Sequence, residues 1–82
     1  MSPVDIKQLI ESTLQGSLAV IEGDDGRHFQ ATVISDAFIG KSRVQQQQLV
    51  YTSLGQHIHD GTIHAISIKT FTPEQWHSTL SK

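Results

Sequence analysis

Near the start of the chain, Val4, Ile6, Leu9, Ile10 and Leu14 recur at intervals that one face of an α-helix shares. Ser2 followed by Pro3 supplies an N-cap and a first-turn proline, and Gly16 the stop. From Ser17 the apolar positions alternate instead. SLAVIE reads as a short strand, GDDGR as a turn, and HFQATVIS as a second strand in which Phe29, Ala31 and Val33 share a face. This segment predicts a hairpin.

Gly40 in DAFIGKS breaks the strand pattern, and Ser42 precedes Gln45 by three, the spacing of a capping box. A second helix is therefore expected from about Arg43, through Val44, Leu49, Tyr51, Leu54 and Ile58, to a stop at Asp60 and Gly61. The glutamines Gln45 to Gln48 read as its solvated face. TIHAISIKTF predicts a third strand, and Thr72, Pro73 and Gln75 open a short last helix with Trp76 and Leu80 four apart. The order is αββαβα, an α+β chain whose three strands form a mixed sheet covered by helices.

The second strand, second helix and third strand make a βαβ unit, so if these strands are parallel neighbours they start at one edge. His28 opens one and His64 lies near the start of the other, so their imidazoles are candidates to converge there.

Composition narrows the possible roles. At 82 residues the chain is expected to form one domain spanning 1–82, too small for a deep enclosed active site. It has no cysteine, so it forms no disulfide and supplies no thiolate to a zinc or iron–sulfur site. MSPVDIKQLI has no signal-peptide pattern and no apolar run approaches a membrane span, which makes a cytoplasmic protein with no membrane partner the simple expectation. Net charge is −2, and full protonation of the five histidines would carry it to +3. A strongly basic nucleic-acid binder would look different.

No catalytic constellation stands out. Asp24 and Asp25 sit in a Gly-flanked turn, where aspartate is common for turn geometry alone, and Ser42 and Ser67 lie in no nucleophile motif. There is no phosphate-binding loop, dinucleotide fingerprint or zinc-protease signature. The chain is not expected to be an enzyme. By period two, His64 shares the face of Ile66 and Ile68, which on its own describes a half-buried histidine hydrogen-bonded near a sheet end. His28 by the same reasoning is a turn histidine in solvent. His57 and His59 are two apart on a helix and share no face; near its C-terminus they complement the helix dipole when charged. His77 reads as another surface or structural residue.

DGTIHAISIKTFTPEQW resembles the C-terminal signature of the BolA family, and FIGKSRVQQQQLVYTSL is similar to that family's second-helix segment. GRHFQ and IHAISIK are similar to one bacterial branch of it. The resemblance implies a fold like the class II KH domain. It also implies a role: BolA-like proteins pair with monothiol glutaredoxins and share a [2Fe–2S] cluster, for which the partner supplies a cysteine and a bound glutathione. The histidine of the family's IHA motif is matched by His64, and His28 matches the second ligand that many members carry before the second strand. Imidazole can replace thiolate on one iron of such a cluster, as Rieske centres show, and both thiols then come from outside the chain.

Where many relatives have a basic stretch in the second helix, this chain has Gln45 to Gln48, and GKSR is not the GXXG loop with which KH domains clamp nucleic acid. The alternative role, a KH-like regulator that binds DNA or RNA, would rest on Lys41, Arg43 and Lys69, a thin basic set. A third is a protein-interaction module that uses an exposed sheet edge.

Overall fold

Each helix begins at its sequence-encoded cap in the computed structural model, which describes residues 2–23, 28–63 and 65–80. Helix α1 spans Pro3–Thr13, and the Ser2 hydroxyl accepts from the Asp5 amide at 3.3 Å while the Asp5 carboxylate accepts from the Ser2 amide at 3.1 Å. Ser42 and Gln45 make the same reciprocal pair at the start of α2, Arg43–His59, at 3.2 and 3.0 Å. Thr72 and Gln75 repeat it before α3, Pro73–Leu80. Each box satisfies amides that the first helical turn leaves without partners.

Strands β1 (Leu18–Glu22), β2 (His28–Ile34) and β3 (Ala65–Phe71) form one sheet in the order β1-β2-β3. β1 runs antiparallel to β2, and β2 parallel to β3, as the βαβ reading expects. Gly16, at φ +80°, turns the chain from α1 into β1 in a conformation that costs glycine little. After β2, Ser35 caps a single 3₁₀ turn, Asp36–Phe38, that carries Phe38 into the interior.

α1 and α2 cover one face. Ala19, Phe29, Ala31, Val33 and Ile68 of the sheet pack with Ile6, Ile10, Phe38, Val50, Leu54 and Ile63, all buried. The other face leaves Leu18, Val20, Gln30, Ser67 and Lys69 exposed. At its far end Phe71 meets Trp76 of α3 with ring centroids 5.3 Å apart.

Several expectations are corrected. Gln45 to Gln48 are not a uniformly solvated face: Gln46 is buried, because it precedes Val50 and Leu54 by one and two helical steps of four. Its amide donates to the carbonyls of Phe38 and Lys41, both at 3.0 Å, and accepts from the Thr70 hydroxyl at 2.7 Å. Gln47, half-buried, donates to the Ile68 carbonyl at 3.1 Å. Val44 and Tyr51, placed on the apolar stripe by spacing, are exposed, as is Val4 of α1.

The third strand is shorter than TIHAISIKTF suggests. Thr62 and Ile63 belong to the connection, where the Ile63 amide donates to the His57 carbonyl at 3.0 Å and its side chain is buried. A carbonyl left over at the end of α2 thus takes an amide that a strand would have used.

Three carboxylates are held below their ordinary ionisation range. Hydrogen bonds from Ala19 and Lys7 do this for Glu11, those from Ser2 for Asp5, and those from Thr62, with the charges of His57 and His59, for Asp60. A carboxylate whose folded pKa is depressed stabilises the fold above its unfolded pKa, and the contribution fades as pH falls through the folded value. These three contributions are therefore expected to stay complete down to about pH 5 and to be lost below about pH 4. Urea midpoints measured against pH should show that fall, and Glu11→Gln should make it shallower; an unchanged slope would rule Glu11 out as a source.

Candidate metal-ligand edge of the sheet

The parallel register decides what meets at the start of β2 and β3. His28 pairs with Ala65, Phe29 with Ile66 and Gln30 with Ser67. Across β1, Glu22 pairs with Gln30, so Glu22, Gln30 and Ser67 form one row over three strands. His28 and Ala65 form the next row toward the edge. These five side chains are exposed and line an open cleft of about 590 Å³ together with Gly23. An imidazole, a carboxylate, an amide and a hydroxyl thus face one solvent-accessible depression, beside an alanine that takes little room.

His64, the first of the sequence-derived ligands, lies outside the described residues; it is the residue before Ala65, whose strand partner is His28. Asp24 and Asp25 also lie outside them. His28 is described, and opens β2 at the rim of the cleft. Glu22, Gln30 and Ser67 went unnoticed in the sequence, although a correct register would have aligned them. Among the described residues no group of three or more His, Cys, Asp or Glu could hold a metal ion.

His57 and His59 stand in the last turn of α2, as expected, with His57 half-buried and His59 exposed. The Asp60 carboxylate beside them accepts from the Thr62 amide at 2.9 Å. Lys41 and Arg43 border a groove with Gln46, Thr70 and Gln75, whereas Lys69 points from the uncovered face of the sheet. The three basic residues do not line one track. Among the described residues no helix is long and apolar enough to cross a membrane.

Gly23 holds the rim of the cleft in shape. Its φ is +156°, and a Cβ there would come within 2.6 Å of the His28 carbonyl oxygen and 2.9 Å of the Phe29 ring. Gly23→Ala is expected to destabilise by about 1–3 kcal/mol, the usual cost of overpacking a close contact. Gly55→Ala, where a Cβ meets nothing within 4 Å, should instead stabilise α2 by up to about 1 kcal/mol. Urea unfolding compares the two; equal effects would remove the special role of Gly23.

The BolA-like protein family model matches residues 1–75. The chain is 44% identical over 70 residues to the acid stress protein IbaG of Escherichia coli strain K12, covering 82% of this chain and 83% of that one. A BolA protein homologue from Coxiella burnetii superposes with a TM-score of 0.84 at 41% identity, over 94% of this chain and 97% of the other. BolA1 from Arabidopsis thaliana does so with a TM-score of 0.75 at 29% identity, over 89% and 93%. Matched along nearly its whole length in sequence and in fold, the chain belongs to the BolA family.

Proposed function

We propose that this chain is an iron–sulfur adaptor that docks on a monothiol glutaredoxin and shares a [2Fe–2S] cluster with it, for cluster trafficking or iron sensing. His64 and His28 are the ligands from this side; the glutaredoxin cysteine and its bound glutathione are the ligands from the other. One observation supports this most: His28 pairs with Ala65, the residue next to His64 in the chain, at a cleft open to solvent. A bulky partner can reach that edge. The chain has no thiolate of its own, so its contribution is restricted to nitrogen donors. The cluster supplies electron storage and transferable iron and sulfide; the chain's part is to orient imidazoles and leave the partner room. The name of the E. coli relative extends the proposal to a role in acid stress.

The test is to mix the protein with cluster-loaded monothiol glutaredoxin and to record visible circular dichroism and sedimentation. A one-to-one complex with a spectrum unlike that of the glutaredoxin alone is expected. A complex that carries no cluster would reduce the role to plain protein interaction, and no complex at all would end the proposal. Nucleic-acid regulation draws less support, since Lys41 and Arg43 share a groove that Lys69 does not line.

A further inference from the structure

β1 is an edge strand, yet the backbone of its second residue, Ala19, is already engaged on the outer side. Glu11 accepts the Ala19 amide at 2.9 Å, and Lys7 donates to the Ala19 carbonyl at 2.8 Å. The two side chains are one helical step apart on α1 and also bond each other, at 2.6 Å. In an antiparallel ladder, alternate residues send both backbone groups to the same side, and opposed residues of this kind exchange two hydrogen bonds. Ala19 is such a residue on the outer side of β1. The ammonium therefore stands where a neighbouring strand's N–H would, and the carboxylate where its C=O would.

We propose that the Lys7–Glu11 pair is a lock on the β1 edge, and that the strand it imitates is β1 of a second copy of this chain. Two β1 strands related by a two-fold axis at Ala19 would set each Ala19 opposite the other, which gives one exchanged pair of backbone hydrogen bonds. The same axis sets Leu18 of one copy opposite Val20 of the other. Both are exposed on the uncovered face, at 49% and 42%, and each would gain an apolar partner. Edges of this sort are self-complementary under two-fold symmetry, which is why proteins block them with charged side chains. Hydrogen bonding holds the Glu11 carboxyl below its ordinary range, so the lock stays charged in mild acid. The locked residue, Ala19, does not line the cleft, which β1 reaches only through Glu22 and the Gly23 that follows it, and the lock does not depend on the adaptor role.

Sedimentation velocity across a concentration series tests this, with the wild type beside a Lys7→Ala, Glu11→Ala double variant. The wild type is expected to sediment as a monomer where the double variant shifts to dimer. Adding Val20→Lys to the double variant, which sets a charge on the paired face, should return it to monomer. If the double variant does not fold, as judged by circular dichroism, a Lys7→Met, Glu11→Met double variant serves instead, because it keeps both aliphatic stems and frees the Ala19 amide and carbonyl together. Folded unlocked variants that remain monomeric would overturn the proposal. So would a dimer that Val20→Lys leaves intact.

Discussion

Replacing His64 by alanine is expected to abolish the visible circular dichroism of the proposed cluster-bridged complex with a monothiol glutaredoxin. Loss of groups that merely orient a metal ligand commonly costs about 10–100-fold in affinity, and loss of the ligand itself more. With no cysteine in the chain, no thiolate can step into its place. His28→Ala should change the spectrum and weaken the complex to a lesser extent, because Glu22 lines the same cleft and can offer an oxygen donor. His77, on α3 beyond the far end of β3, provides the control, and His77→Ala should leave the spectrum as it was. A His64→Ala complex with an unaltered spectrum would remove the ligand assignment while leaving the glutaredoxin interaction to stand or fall on its own.

The second large effect is expected at Gln46. Alanine there removes the acceptor of the buried Thr70 hydroxyl and a donor to two carbonyls, that of Phe38, which keeps the Lys41 amide, and that of the exposed Lys41, at the junction of α2, β3 and the 3₁₀ turn. A buried group left unsatisfied costs about 1–3 kcal/mol, and here that group is the Thr70 hydroxyl, so a loss of about 1–3 kcal/mol is expected. For a chain of this size that is a large share of a stability of about 4–12 kcal/mol. Gln48→Ala, two positions on and exposed, should change stability by less than about 0.5 kcal/mol. Urea unfolding of both variants separates them; similar losses would mean that the hydrogen-bond junction contributes little.

The contrast between Gln46 and Gln48 also marks where sequence reading reaches its limit. Capping boxes at Ser2, Ser42 and Thr72 were legible because a cap is local: donor and acceptor lie three residues apart. The alternation of Phe29, Ala31 and Val33 was legible for the same reason, since period two is a property of the strand itself. Four consecutive glutamines carry no such signal. Which one turns inward depends on the 3₁₀ turn and β3 packing against α2, which supply partners five, eight and twenty-four residues away. The overreach at Val44 and Tyr51 has the same origin, for spacing alone cannot say how wide a stripe the sheet will cover.

The candidate site divides in the same way. His28 and His64 were candidates from residue type, strand position and family resemblance, while Glu22, Gln30 and Ser67 were not, because only strand pairing sets them in one row.

By itself the sequence determined the order of elements, their caps, the parallel βαβ unit and the absence of thiolate, all of which follow from local geometry and side-chain chemistry. Only the tertiary structure decided that β1 takes the outer edge, that Lys7 and Glu11 cover its backbone, and that Gln46 is buried as a junction. Those outcomes depend on groups from different elements meeting: Lys7 and Glu11 of α1 with the Ala19 backbone at a partly exposed edge, and Gln46 of α2 with Phe38, Lys41 and Thr70, where a buried polar group cannot be left without a partner.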